Sequence, residues 1–124
     1  MLRTIIWVGI GGGIGSILRY LTIVFVNKYF QTSFPWGTFA VNILGCLVVG
    51  LLLGCFERYQ LTNPDLKYLF VTGFCGGYTT FSAFAAENVN LFQSDNSLTA
   101  FAYIAASVLL GLFAVWIGLM LTKL

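Results

Sequence analysis

The chain has 124 residues, 59% of them hydrophobic and 8% charged, and a net charge of +2. Soluble domains carry about 25% charged residues, so the composition excludes a soluble globular protein, and the small charge leaves no electrostatic footprint for nucleic acid. Histidine is absent, which removes the commonest metal ligand and the usual proton shuttle of enzymes.

A hydrocarbon core about 30 Å thick needs about 20 helical residues. The sequence holds four such spans, at about residues 4–26, 38–56, 68–92 and 98–122, with no room for a soluble domain. The expected fold is a single all-α transmembrane domain. Its first run is read as a span rather than a signal peptide, because Arg19 and Tyr20 interrupt it without a small-residue cleavage site and the run then resumes.

Span 1 is glycine-rich, and Gly11 and Gly15 form a G-x-x-x-G pair, a device for close helix packing. Arg19 lies in its second half. A charge inside a span is costly and suggests function; snorkelling to the interface or pairing with a neighbouring helix end are the other readings. A polar turn follows, punctuated by Pro35 and Gly37, with Trp36 placed as an interface anchor.

Span 2 carries one strongly polar side chain, Asn42, among Gly45, Gly50 and Gly54. A buried amide needs partners, since an unpaired one costs about 1–3 kcal/mol. Asn42 therefore either bonds between helices or offers N–H donors to an anion. The next loop is charged, and Asn63-Pro64-Asp65 reads as a turn or helix start.

Span 3 contains Gly76-Gly77-Tyr78-Thr79-Thr80. Paired glycines and two β-branched residues weaken a helix, so this span is expected to break near its middle. Broken backbone in a bilayer is tolerated only where protein buries it or it lines a cavity. The half-helix beyond would point N–H groups and a favourable dipole at an anion. Freed carbonyls could hold a cation. Phe81 and Phe84, three apart, share a face, and aromatic ring edges are electropositive. Glu87 reads as a solvated end-of-helix charge, with a vestibule acid as the alternative. Span 4 sets Tyr103, Ser107 and Gly111 on one stripe.

The cysteines Cys46, Cys55 and Cys75 sit inside spans without zinc spacing and read as small packing residues. No nucleophile–base pair is visible, so an enzyme is not expected. Neutral hydroxyls and amides suit a small ion that must bind without being held too long. Four small helices cannot enclose a wide path alone, which points to oligomerisation. Arg3, Arg58, Lys67 and Lys123 lie on the side of the termini, and Lys28 on the other, joined by Arg19 if it snorkels that way. That weak bias favours cytoplasmic termini and allows mixed orientations.

Three motifs in register carry a family resemblance. Gly76-Gly77-Tyr78-Thr79-Thr80-Phe81-Ser82-Ala83-Phe84 with Glu87 resembles the G-G-x-T-T-F-S-T-F-S-x-E signature of the Fluc/CrcB fluoride channels. Gly37-Thr38 through Asn42 to Gly45 is similar to their G-T-x-x-x-N-x-x-G motif, and Gly11-Gly12 through Gly15 to Arg19-Tyr20 to their first-helix motif. The resemblance implies an antiparallel, dual-topology homodimer in the plasma membrane, passing fluoride through two pores at the dimer interface. By position, Asn42 would donate to fluoride, Phe81 and Phe84 would present ring edges, and Ser82 and Tyr103 would belong to a polar track. The backbone carbonyls of Gly76 and Thr79 from both subunits would hold a structural sodium ion. Arg19, Thr38, Thr80, Glu87 and Ser107 would be accessory. Ala83 replaces the family's usual Thr, and Gly111 stands where some members carry Ser, so two hydroxyls are missing.

The main alternative is a small dual-topology exporter of cationic compounds. Such exporters need an acid in the first helix, and span 1 has none.

Overall fold

Glycine decides how the helices meet. The computed structural model describes Met1 through Leu124. It contains α1 (Leu2–Tyr29), α2 (Trp36–Arg58), α3 (Pro64–Lys67), a π-helical segment (Tyr68–Cys75), α4 (Gly76–Tyr78), α5 (Phe81–Gln93) and α6 (Ser97–Leu121). The stretch Pro64–Gln93 forms one interrupted span, so four helices are long and apolar enough to cross a membrane. The chain is an all-helical, multi-pass membrane protein.

On α1, Gly11 and Gly15 are buried against the third span. A Cβ on Gly11 would strike the Leu69 carbonyl oxygen and lie 2.8 Å from Phe74 N; one on Gly15 would strike the Phe74 carbonyl oxygen and lie 2.9 Å from Tyr78 N. Only hydrogen fits between these backbones, which is how small residues drive helix contact where lipid removes the hydrophobic drive. The wide π-helical turn runs along this glycine face.

Helices α2 and α6 run parallel in a second glycine-mediated contact. Gly50 abuts the Val115 carbonyl, Gly54 abuts Thr122, and a Cβ on Gly118 would lie 2.6 Å from both Leu47 O and Leu51 N. The Arg58 guanidinium donates to the Thr122 carbonyl at 2.6 Å, satisfying one of the carbonyls that a helix end leaves free. Arg3 pairs with Asp65 at 2.6 Å, tying the start of α1 to α3. Asn63 caps α3 as its sequence suggests, its Oδ1 accepting from Asp65 N at 3.0 Å with Pro64 following.

The break lies at Thr79-Thr80, one step beyond the paired glycines. Thr79 (φ −91°, ψ 160°) and Thr80 (φ −149°, ψ 120°) are extended, whereas Gly76 stays helical at φ −63°, ψ −35°. Gly77 serves approach rather than rupture, lying against the backbone of Gly12, while a Cβ at Gly76 would meet nothing within 4 Å. The rupture belongs to β-branched residues whose hydroxyls turn back onto the backbone on either side of it. Thr79 Oγ1 donates to the Cys75 carbonyl at 2.9 Å. Thr80 Oγ1 accepts from Ala83 N at 3.2 Å and so caps α5.

Candidate functional site

Two parallel helices with a four-residue repeat place their side chains in matched levels. On α2, Thr38, Asn42 and Cys46 fall on one face, as Tyr103, Ser107 and Gly111 do on α6. The broken span crosses in front of both. Each level meets a different part of it.

At the middle level, Asn42 clasps the break. Its Oδ1 accepts from Thr80 N at 2.8 Å, and its Nδ2 donates to Thr80 O at 3.1 Å. One amide side chain thus satisfies both polar groups of a residue 38 positions away. The second N–H of Nδ2 has no acceptor in the chain. Because Thr80 N turns to Asn42, the Gly76 carbonyl loses the amide that would have continued its helix. Neither the Gly76 nor the Thr79 carbonyl accepts a hydrogen bond within the chain. On the other side of the break, the N–H groups of Phe81 and Ser82 open the first turn of α5 without acceptors.

A cavity of about 350 Å³, open on one side, lies against this clasp. Asn42, Thr79, Thr80, Phe81, Phe84 and Ser107 line it, together with Cys46, Val49, Val108 and Val115. The Ser107 hydroxyl is buried and has no partner. Phe81 is 79% exposed, and its ring lies 5.8 Å from that of the half-buried Phe84. The lining is mostly apolar, with neutral donors in it and no charged side chain.

At the upper level, Glu87 is no solvated end-of-helix charge. It sits inside α5, half-buried, with both carboxylate oxygens occupied: Thr38 donates to Oε2 at 2.7 Å and Tyr103 to Oε1 at 2.9 Å. Three elements meet at this acid, an association local sequence does not signal. Tyr103 is fully buried and packs edge-on against Phe84 at 4.9 Å. It supports the cavity wall from behind.

The remaining residues stand apart. Ser82 is exposed on α5, its Oγ 3.3 Å from Thr80 Oγ1. Arg19 is half-buried on α1 and forms no ion pair or hydrogen bond within the chain. At the lower level, Cys46 faces Gly111, whose added Cβ would lie 3.5 Å from the Cys46 sulfur. Cys46 was readable as a packing residue, yet it lines the cavity. Its position one turn after Asn42 on the same face was the available signal.

Comparison with known proteins adds three findings. The family described as CrcB-like protein, Camphor Resistance (CrcB), matches residues 6–119. A protein of Flavobacterium psychrophilum named Fluoride-specific ion channel FluC is 53% identical over 122 residues, covering 98% of each chain. Proteins of the same name from Campylobacter jejuni and Azobacteroides pseudotrichonymphae are 46% and 44% identical, covering 99% of this chain and 100% and 98% of theirs.

Proposed function

This chain belongs to the CrcB-like family, and from that membership we propose that it is a fluoride-selective channel carrying the anion passively out of the cytoplasm. It is a channel rather than an enzyme. Hydrogen fluoride is a weak acid that crosses bilayers and dissociates in a more alkaline cytoplasm, so the trapped anion needs an exit.

The observation that carries the reading is the clasp at Asn42. An amide in an apolar cleft keeps one uncommitted N–H beside the N-terminal amides of α5 and two phenylalanine rings. These donors are neutral, fixed and few. A compact anion with high charge density gains most from short hydrogen bonds and positive ring edges. A larger anion such as chloride gains less from each donor and needs more room between the rings. Ser107, with its unpaired hydroxyl, would offer the next donor along α6. Tyr103, Thr38 and Glu87 would hold the wall at Phe84, and Ser82 and Thr80 would flank the path. Arg19, left without a partner in the chain, would act as an accessory charge.

Two copies in opposite orientations form the proposed channel. The cavity is open, Phe81 is largely exposed, and an uncommitted amide facing lipid would go unsatisfied. A second copy laid over this face would close the path and contribute its own phenylalanines. The freed carbonyls of Gly76 and Thr79 fit a hard cation, which prefers oxygen ligands, and together with those of a second copy they would hold a sodium ion. When bound, the ion would join the subunits and add positive charge near the anion path. Protein prepared in potassium in place of sodium is then expected to melt at a lower temperature, by the linkage of binding to stability. Equal melting in both salts would argue against the site.

The channel reading is tested by reconstituting the protein in liposomes and following efflux with ion-selective electrodes. Fluoride is expected to leave rapidly and chloride to stay. Phe81→Ile, which removes a ring edge but keeps apolar bulk, should slow fluoride by roughly tenfold or more, the loss of one favourable ring contact with a desolvated ion. Folded protein that passes no fluoride would reject the proposal.

A further inference from the structure

The ring of Phe84 is only as fixed as what stands behind it. Tyr103 stands there, at 4.9 Å, with no exposed surface of its own. Part of the burial of Tyr103 comes from outside the transmembrane helices. Phe34, in the connection between α1 and α2, meets the Tyr103 ring edge-on, with centroids 5.2 Å apart and planes at 68°.

That connection is built to hold Phe34. The Thr32 hydroxyl accepts from Phe34 N at 3.3 Å and from Trp36 Nε1 at 3.0 Å. Trp36 N donates to the Phe34 carbonyl at 2.9 Å, and the Trp36 and Phe34 rings lie 4.4 Å apart. Phe39, in the first turn of α2, completes the socket at 5.4 Å from Phe34 and 6.5 Å from Tyr103. A surface connection with hydrogen bonds on both sides of one aromatic residue is ordered at that residue. The edge-on contact of Phe34 bears on the Tyr103 ring while the Tyr103 hydroxyl reaches Glu87.

The geometry points to Phe34 as a positioning residue for the ion path: it fixes the Tyr103 ring so that the hydroxyl stays on Glu87. Phe34 does not line the cavity, so it acts through Tyr103 and not on the ion. The inference rests on the channel reading above. Its rival is an anchoring role, in which Phe34 only buries apolar surface where the chain leaves the membrane. Leucine would serve an anchor nearly as well as phenylalanine. It would not serve an edge-to-face contact.

The test is a mutant cycle on fluoride efflux from liposomes. Phe34→Leu is expected to slow efflux about three- to tenfold, the equivalent of one aromatic pair, while Phe34→Tyr, which keeps the ring, restores it. In a Tyr103→Phe background, where the hydroxyl is gone, Phe34→Leu should change efflux less than about twofold. Nuclear magnetic resonance of tyrosine-labelled protein supplies a readout independent of transport. The Tyr103 hydroxyl proton should exchange with water faster in Phe34→Leu than in the wild type. Equal slowing in both backgrounds, or unchanged exchange of that proton, would overturn the inference and leave an anchor. If the wild type passes fluoride and Phe34→Leu matches it, the inference alone fails. If the wild type passes none, the channel reading fails first.

Discussion

Replacing Asn42 by aspartate is expected to cut fluoride efflux by about 100-fold or more while leaving the subunit folded. The substitution is nearly isosteric. One carboxylate oxygen can still accept from Thr80 N, as Oδ1 does now at 2.8 Å. The other oxygen takes the place of Nδ2 and faces the Thr80 carbonyl, which Nδ2 reaches at 3.1 Å. A donor–acceptor contact becomes two acceptors in opposition, and the uncommitted N–H is lost. Losing a hydrogen bond to a charged partner costs about 1.5–3 kcal/mol, and about 1.4 kcal/mol is tenfold in a rate. A fixed negative charge adds repulsion, on the order of 4 kcal/mol for unit charges 4 Å apart at an effective dielectric constant of 20. The measurement is electrode-detected efflux, with gel filtration of the same preparation to show the fold. Efflux within a few-fold of wild type would mean that the anion does not pass Asn42. Asn42→Ala separates the two roles of the side chain. It removes the clasp as well as the donor, so it should lower thermal stability where aspartate does so less.

The second large effect concerns stability rather than passage. Gly15→Ala should lower the thermal midpoint by many degrees or prevent accumulation of folded protein, and Gly13→Ala should be close to neutral. The residues differ by two positions in one helix and by nothing in local chemistry. A Cβ at Gly13 has no heavy atom within 4 Å, whereas one at Gly15 meets the Phe74 carbonyl oxygen and Tyr78 N. Those are backbone atoms and cannot rotate aside, so the third span must move bodily. Overpacking costs about 1–3 kcal/mol and sometimes more. Here the displaced segment leads straight into Thr79 and Thr80, so the clasp with Asn42 would be strained too. Heating followed by gel filtration reads the midpoint. If the two variants melt together, α1 and the third span do not pack through this glycine face.

The contrast between Gly13 and Gly15 also marks how much could be read without coordinates. A G-x-x-x-G spacing identified Gly11 and Gly15 as contact residues because a helix repeats its face every three to four residues. It could not say which helix they would touch. The break illustrates the same boundary. Paired glycines and threonines announced an interruption, but the structure keeps Gly76 and Gly77 helical and opens the chain at the threonines. Intrinsic propensity ranks glycine as the weaker helix former. Close packing of Gly77 against Gly12 overrides that ranking, while Asn42 supplies the Thr80 amide with a partner that the helix would otherwise provide. Glu87 shows the larger error. Judged by neighbours in sequence it reads as a solvated charge; it is an acid held by the hydroxyls of Thr38, 49 residues before it, and Tyr103, 16 after.

What the sequence determined by itself is everything that depends on short-range periodicity and composition. Four apolar runs of sufficient length, one weak point in the third and an amide alone in an apolar span made it a membrane protein, and the resemblance of three motifs in register to a family added the channel reading and the proposed places of Asn42, Phe81 and Phe84. The number of spans and the face each residue shares follow from the thickness of a bilayer and the repeat of a helix. Tertiary structure alone decided which levels of α2 and α6 face each other, that Asn42 meets the Thr80 peptide, that Cys46 lines the cavity and that Phe34 stands behind Tyr103. Those contacts join residues far apart along the chain, and their geometry is set by how closely glycines let backbones approach. A sequence reveals that two helices can come close; the register in which they do so exists only once they are packed.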